Sequence, residues 1–181
     1  HLYKCNRKSG GNMETEMKAI TCCFTGHRQI SPEIMPTLAT ELESVLLRLI
    51  GDGFRFFCAG GALGFDTLAA ETVLHLKMQY PQIRLILVLS CHEQTRGWKP
   101  EDVQRYEAIR QKADKVIYTA EHYTRGCMHL CNRYLVDHSA VCVAYCTRTT
   151  GGSAYTTAYA RKQGIPVIRL GTDQTETASQ K

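Results

Sequence analysis

Short apolar runs alternate along the chain with longer stretches in which apolar residues recur every three or four positions. The runs are continuous and rich in β-branched and aromatic residues, which is typical of strands buried on both faces. Six strands are predicted, at residues 19–24, 54–58, 83–89, 115–119, 140–145 and 166–170.

Helical periodicity predicts one helix between each strand and the next. Ser31 and Pro32 are typical of a helix start, and Gly51 and Gly53 of a helix end. The other four helices are predicted at residues 66–80, 100–113, 124–138 and 153–163. Because strand and helix alternate, we predict an α/β fold. It is a Rossmann-like three-layer sandwich with a mostly parallel sheet of about six strands and helices on both faces.

The length and composition of the chain favour one domain. It has 181 residues, of which 44% are hydrophobic, enough for one core and too short for two ordinary domains. We place the domain at residues 18–171. Residues 1–17 are interpreted as a leader or flexible N-terminus, with Met13 as a candidate natural start, and residues 172–181 as a flexible C-terminal tail. No apolar window approaches the roughly 20 residues of a membrane span, so no membrane is expected.

Two glycine-bearing turns follow the first two strands and lead into helices. They are Thr25-Gly26-His27-Arg28 and Gly60-Gly61-Ala62-Leu63-Gly64-Phe65-Asp66. Small residues let a phosphate approach the main chain, and amide hydrogens at a helix start offer donors. Ligands of open parallel sheets bind at the carboxyl ends of the strands, where a further turn at residues 147–153 also lies. The converging turns predict a nucleotide-type ligand.

Each of these residues also has a structural interpretation. Gly60 and Gly61 fit a tight turn that requires a positive φ, and their turn is neither a P-loop nor a dinucleotide glycine triplet. Asp66 suits either an N-cap of the second helix or a contact to ribose hydroxyls. His27 is either a ligand contact, a general acid or a turn cap. Arg28 favours the functional interpretation, since a guanidinium suits bidentate phosphate contact.

Charge and cysteine content narrow the range of expected partners and the expected cellular environment. The 22 Lys and Arg against 17 Asp and Glu give a formal charge of +5 without a dense basic block. An anionic ligand is compatible with this balance, and nucleic acid is not expected as a partner. Four of the nine cysteines lie inside apolar runs, which favours buried thiols in a cytoplasmic protein over disulfides. The cysteine spacings predict no metal site.

Several motifs together resemble the SLOG superfamily, the Rossmann-like group that includes the DNA-processing protein DprA and the LOG phosphoribohydrolases. The chain is most similar to its bacterial YpsA-like branch over about residues 19–170. The resemblance rests on the two turns above, on the Glu93-Gln94 and Trp98 region, on Asn132-Arg133 with Val136-Asp137, and on Gly151-Gly152-Ser153 before Gly164-Ile165-Pro166-Val167. It implies a nucleotide-type ligand in the cleft formed by these turns.

The chain departs from the LOG enzymes at one element. Their Pro-Gly-Gly-x-Gly-Thr-x-x-Glu motif aligns on Gly151 and Gly152, but Ala158 stands where the catalytic Glu is expected. Cleavage of an N-glycosidic bond needs a carboxylate to stabilise the oxocarbenium-like state or to activate water. The resemblance therefore favours binding over cleavage.

These arguments give a defined set of expectations. We expect a small nucleotide ligand, no required cofactor, no metal, and a sensing or signalling role, with a homo-oligomer left open. A LOG-like nucleoside 5′-monophosphate phosphoribohydrolase and a DprA-like nucleic-acid-binding module are the alternatives. Asp66, Glu93 and His27 are the candidates for chemistry. The expected ligand-binding residues are Thr25, Gly26, His27, Arg28, Gly60, Gly61, Ala62, Gly64, Asp66, Asn132, Gly151, Gly152 and Ser153.

Overall fold

The computed structural model describes residues 12–172, so residues 1–11 and 173–181 of the predicted leader and tail lie outside the described residues. The strands are β1 (Thr21–Gly26), β2 (Phe56–Ala59), β3 (Arg84–Leu89), β4 (Lys115–Tyr118), β5 (Val141–Tyr145) and β6 (Val167–Arg169). The helices are α1 (Met13–Ala19), α2 (Met35–Gly51), α3 (Phe65–Lys77), α4 (Pro100–Lys112), α5 (Cys127–Asp137) and α6 (Gly152–Lys162).

The six strands form one sheet in the order β4-β3-β2-β1-β5-β6, and every neighbouring pair is parallel. The predicted Rossmann-like α/β fold is confirmed. The chain runs outward from β1 to β4 and then crosses back to β5, so the strand order reverses between β1 and β5. In such sheets a crevice opens at the carboxyl ends of the strands on either side of this reversal.

Successive side chains of the central strands supply two separate cores. Cys22 and Phe24 of β1 pack with residues of α2, α3 and α4 on one face of the sheet. Cys23 lies on the opposite face with Cys58 and Cys142, where it packs with residues of α5 and α6. This period of two explains why the strands read as continuous apolar runs.

Two helices, α1 and α2, differ most from the sequence-based prediction. Helix α1 was not predicted, and β1 begins at Thr21 instead of residue 19, because the polar stretch before Ile20 has no apolar stripe to signal a helix. Helix α2 begins at Met35 instead of Ser31. Residues 31–34 form a separate turn, in which the N–H of Ile34 donates to the Ser31 carbonyl over 3.1 Å.

The cysteines between residues 12 and 172 are free, buried thiols. For Cys22, Cys23, Cys58 and Cys142, this agrees with their predicted role as small hydrophobic residues in the strands. Among the same residues, no helix combines the length and the apolar composition needed to cross a bilayer.

Candidate functional site

A cleft of about 510 Å³ opens where the strand order reverses, between the carboxyl ends of β1 and β5. It brings together ten of the thirteen expected ligand-binding residues. These are Thr25, Gly26, His27, Arg28, Ala62, Asp66, Asn132, Gly151, Gly152 and Ser153. Residues more than 120 positions apart in the chain therefore share one cavity, as the convergence of the turns predicts.

Three of the expected glycines do not line this cleft and have structural roles. Gly64 has a φ of 77°, and a Cβ there would collide with the backbone carbonyl of Arg28. Beside it, the N–H of Phe65 donates to the His27 carbonyl over 3.0 Å. Gly61 has a φ of 72°, and a Cβ there would lie only 2.5 Å from Leu89. These residues pack the second glycine turn against its surroundings, and only glycine fits such contacts.

Gly60 is the third of these glycines, and the loop after β3 holds it in place. The side-chain amide of Gln94 donates to the Gly60 carbonyl over 3.0 Å, while its oxygen accepts the N–H of Ser90 over 2.9 Å. A Cβ on Gly60 would approach the Asp66 carboxylate to 3.0 Å. Gly60 therefore leaves room for the Asp66 side chain.

Asp66 is a buried carboxyl group in the wall of the cleft, 9% exposed. Its Oδ2 accepts the N–H of Ala62 over 3.2 Å. Helix α3 begins at Phe65 with Gly64 as its N-cap, so Asp66 does not cap the helix as one interpretation proposed. Burial raises the pKa of Asp66 to about 7, although the Ala62 hydrogen bond and Arg28 act to lower it. Desolvation disfavours the ionised form more than these two contacts favour it.

His27 joins the β1 turn to the loop that follows β5. The backbone N–H of Thr147 donates to His27 Nε2 over 2.8 Å, and the Thr147 hydroxyl lies 3.1 Å from the same nitrogen. Nε2 must therefore be an acceptor, which leaves the proton of the neutral ring on Nδ1. Burial, followed by the charge of Arg148, lowers the pKa of His27. The neutral ring therefore holds this side of the cleft together.

The N-terminus of α6 opens into the cleft through two glycines. A Cβ on Gly151 or Gly152 would meet no atom within 4 Å, so their main chain is accessible. No side chain caps this helix end. The first N–H groups of a helix lack intrahelical partners and carry a partial positive charge. This end of α6 is suited to bind an anionic group.

The cleft also contains residues that sequence reasoning missed, namely Phe24, Gln29, Met128, His129, Arg148 and Thr150. Arg148 adds a second cation beside Arg28, and its place within the turn at residues 147–153 was a usable signal. His129 lies one helical turn before Asn132 on α5, so both side chains face the same way. No local pattern distinguished His129 from an ordinary surface histidine.

Glu93 and Trp98 do not reach the cleft. Glu93 accepts a hydrogen bond from His122 Nδ1 over 3.0 Å and another from the N–H of Tyr123 over 3.2 Å. The His122 contact is the main reason that the pKa of Glu93 is lowered. Trp98 packs edge-on against Tyr106, with 5.6 Å between ring centroids. Of the three candidates for chemistry, only Asp66 and His27 therefore line the cleft.

Comparison with known families agrees with this architecture. The family model YpsA, described as the YspA SLOG family, matches residues 23–166, a span that contains every residue lining the cleft. The chain belongs to this SLOG family. Sequence relatives of this SLOG protein include UPF0398 proteins of Bacillus thuringiensis (strain Al Hakam) and Bacillus cereus (strain Q1). Each is 29% identical over 126 residues, 68% of this chain and 68% of the relative.

Solved structures share the fold at low sequence identity. DNA processing protein A from Helicobacter pylori, described by its single-stranded DNA binding mode, has a TM-score of 0.62 and 16% identity, and the match covers 91% of this chain and 71% of that one. DprA from Streptococcus pneumoniae has a TM-score of 0.60 and 14% identity, and the match covers 88% of this chain and 53% of that one. These likenesses establish the Rossmann-like fold of this SLOG protein.

Proposed function

We propose that this SLOG protein binds a nucleotide or nucleotide-derived ligand in the cleft between β1 and β5, as part of a sensing or signalling role. One observation carries the proposal: the uncapped N-terminus of α6, opened by Gly151 and Gly152, lies in the same cavity as Arg28 and Arg148. Backbone donors and guanidinium groups are the two elements that proteins combine around phosphate.

The remaining lining suits the uncharged part of such a ligand. In the proposed complex, Asp66 accepts hydrogen bonds from ribose hydroxyls, and Asn132 offers both a donor and an acceptor to the base or the sugar. The cavity volume of about 510 Å³ lies within the range of small-molecule sites. The proposed ligand therefore places its phosphate at α6 and its sugar towards Asp66.

Binding without cleavage is the expected outcome. Ala158 occupies the position that aligns with the LOG catalytic Glu, so no carboxylate stands there. It lies on the exposed side of α6. Asp66 is the one candidate carboxyl in the cleft, and its Oδ2 is already used by Ala62. We expect no release of base from AMP above the buffer rate, with Asp66→Asn as the comparison if any release occurs.

A ligand panel tests the proposal. Mononucleotides, dinucleotides, ADP-ribose and cyclic nucleotides are screened by thermal shift and then by calorimetry. A ligand at about 100 times its dissociation constant stabilises the fold by about 2.7 kcal/mol, which is readily measured. Arg28→Ala and Arg148→Ala are each expected to weaken binding by about 10- to 100-fold, the loss of one charge-assisted contact.

Arg161→Ala is the matched control, because Arg161 lies in the last turn of the same helix α6, away from the cleft. It is expected to leave affinity unchanged. The proposal is wrong if no member of the panel binds, or if Arg28→Ala and Arg161→Ala behave alike. A single-stranded oligonucleotide that bound in a strongly salt-dependent way, while mononucleotides did not, would favour the nucleic-acid alternative instead.

A further inference from the structure

The protein holds one carboxyl oxygen of Asp66 and leaves the other free. Its Oδ2 accepts the N–H of Ala62 over 3.2 Å. The carbonyl of the same Ala62 accepts the hydroxyl of Thr67, the next residue of α3, over 3.0 Å. Both polar groups of Ala62 are thus bound to the start of the helix. This double contact fixes the orientation of the Asp66 carboxyl group.

The second carboxyl oxygen, Oδ1, is accessible from the cleft. Between residues 12 and 172 it has no hydrogen-bond partner, yet no fully buried side-chain oxygen or nitrogen in this part of the chain lacks one. Oδ1 is therefore not fully buried, although Asp66 as a whole is only 9% exposed and lines the cleft. An open acceptor on an otherwise buried polar side chain is a contact that a ligand can complete.

Few charges act on Asp66. Arg28, from the turn after β1, favours its ionised form, but Asp66 forms no salt bridge with any residue from 12 to 172. The thiols of Cys131 on α5 and Cys142 on β5 lie near enough to interact with its charge, and the second glycine turn adds no charge. The other titratable side chains of the cleft are His27, His129 and Arg148. Burial outweighs the Ala62 hydrogen bond and Arg28, and it raises the pKa of Asp66 to about 7.

The free oxygen suits a hydrogen-bond donor of the ligand. Each oxygen of an ionised carboxylate has two lone pairs, so Oδ1 can accept from two neighbouring hydroxyl groups. Arg28 lines the cleft at the end proposed for the phosphate, and its charge also acts on Asp66. The ligand group beside Asp66 is therefore the one bonded directly to the phosphate, which in a nucleotide is the sugar. The adjacent 2′ and 3′ hydroxyls of a ribose supply the two donors.

We propose that Asp66 makes the cleft selective for ligands that present the 2′,3′-hydroxyl pair of a ribose, so that ribonucleotides bind in preference to their 2′-deoxy and 3′-deoxy counterparts. The inference rests on the proposed function, because it names the part of the nucleotide-type ligand that the cleft recognises. Asp66 is then a specificity-determining residue, whereas the arginines and the N-terminus of α6 supply affinity for any phosphate.

This contact is linked to a proton. Hydroxyl groups donate to the ionised carboxylate, so ribose binding favours the form of Asp66 without its proton. Because the pKa of Asp66 in the free cleft is about 7, binding at pH 7 is expected to release about half a proton. The preference for ribose over deoxyribose therefore increases as the pH rises through about 7.

Matched sugar phosphates test the sugar contact by calorimetry. Ribose 5-phosphate and 2-deoxyribose 5-phosphate carry the same phosphate, so the ratio of their dissociation constants isolates the hydroxyl contact at every pH. AMP, 2′-deoxy-AMP and 3′-deoxy-AMP repeat the comparison with a base attached. Each missing hydroxyl is expected to weaken binding by about 10- to 100-fold, the loss of one hydrogen bond to a charged group. The ratio is expected to be larger at pH 8 than at pH 6.

Asp66→Asn keeps the size of the side chain and removes its charge. In this variant we expect ribose and deoxyribose ligands to bind about equally, with no pH dependence of their ratio. We also expect no proton release from this position, measured in buffers of different ionisation enthalpy. Glu93→Gln is the matched control, because Glu93 is a carboxylate outside the cleft, and it is expected to keep the wild-type ratio. Thermal denaturation shows that both variants are folded.

Four results would overturn the sugar contact. They are equal binding of the ribose and deoxyribose probes, discrimination that survives in Asp66→Asn, tighter binding of 3′,5′-cyclic AMP than of AMP, and binding of neither ribose 5-phosphate nor AMP. In each case ligand binding in the cleft still stands if another member of the panel binds and Arg28→Ala weakens it. Absence of binding by every member of the panel overturns both proposals.

Discussion

Burial pushes two titratable side chains of the cleft, Asp66 and His27, towards their neutral forms. It raises the pKa of Asp66 and lowers that of His27, two opposite shifts with the same leading cause. The guanidinium groups of Arg28 and Arg148 are exposed at the rim of the cleft. Near neutral pH the cleft is therefore positive at its rim and weakly charged at its wall, which suits a ligand with one anionic end and one polar uncharged end.

Replacing Asp66 by asparagine is expected to change how stability depends on pH. A pKa raised from 3.8 to about 7 means that the folded state holds its proton more tightly than the unfolded state. The contribution of Asp66 to the free energy of unfolding is fully present below about pH 4. It is lost as the pH rises through about 7, by up to about 4 kcal/mol. Asp66→Asn removes this loss, so the variant is expected to have a higher Tm than the wild type at pH 8 and a similar Tm at pH 4.

Glu93→Gln is the control for this experiment, because Glu93 is an exposed carboxylate outside the cleft. It is expected to give no gain in Tm at pH 8. Equal Tm differences for Asp66→Asn at pH 4 and pH 8 would contradict the raised pKa of Asp66.

At the scale of elements, the two glycine turns are a packed unit. A Cβ on Gly26 would collide with the ring of Phe65, and a Cβ on Gly64 would collide with the backbone of Arg28, so each turn supplies a glycine where the other approaches. A hydrogen bond from the N–H of Phe65 to the His27 carbonyl joins the two turns. This close packing fixes the position of Arg28 and Asp66 relative to each other, and it depends in part on Gly64 and Phe65, which do not line the cleft.

Gly64→Ala is therefore expected to destabilise the fold by about 2 kcal/mol or more. The Cβ would meet the Arg28 carbonyl, and the φ of 77° is strained for any residue with a side chain. Urea denaturation measures the change in the free energy of unfolding. Ligand affinity is also expected to fall, because the β1 turn has to move.

Gly51→Ala is the matched control at the end of α2, where an added Cβ meets no atom within 4 Å. Alanine in a helical conformation is expected to stabilise by about 0.5–1 kcal/mol. The two turns would not be a packed unit if both substitutions had the same effect.

At the scale of the whole molecule, the sheet protects its cysteines on both faces. Cys22 faces the core under α2, α3 and α4, whereas Cys23, Cys58 and Cys142 adjoin one another on the other face. Burial raises the pKa of Cys22 and Cys58, and raises that of Cys131 to about 12. Thiols react as thiolates, so these side chains are inert while the sheet is intact.

A thiol titration tests this protection. In a Cys5→Ser variant, the eight remaining cysteines are all buried free thiols. Ellman's reagent is expected to modify none of them within minutes under native conditions and all eight in denaturant. Rapid reaction of Cys22, Cys23, Cys58 or Cys142 in the native protein would show that part of the sheet opens readily.

Much of this fold was predictable, because strands and helices follow from local periodicity. The alternation of apolar runs with 3.6-residue patterns gave all six strands and five of the helices, with ends displaced by a few residues. Helix α1 was missed because its residues have no buried face. Most of the cleft was found for a related reason: turns that follow parallel strands meet at one edge of the sheet, whatever their order.

The sequence by itself determined that glycine turns, Arg28 and Asp66 lie at the carboxyl ends of strands, since these features depend on residues close together in the chain. Only the tertiary structure decided which turns meet. It joined His27 to Thr147, 120 positions away. It also assigned Gly64 to packing and Gly151 to the open cleft. Strand order and handedness decide such contacts, and no local pattern of residues contains that information.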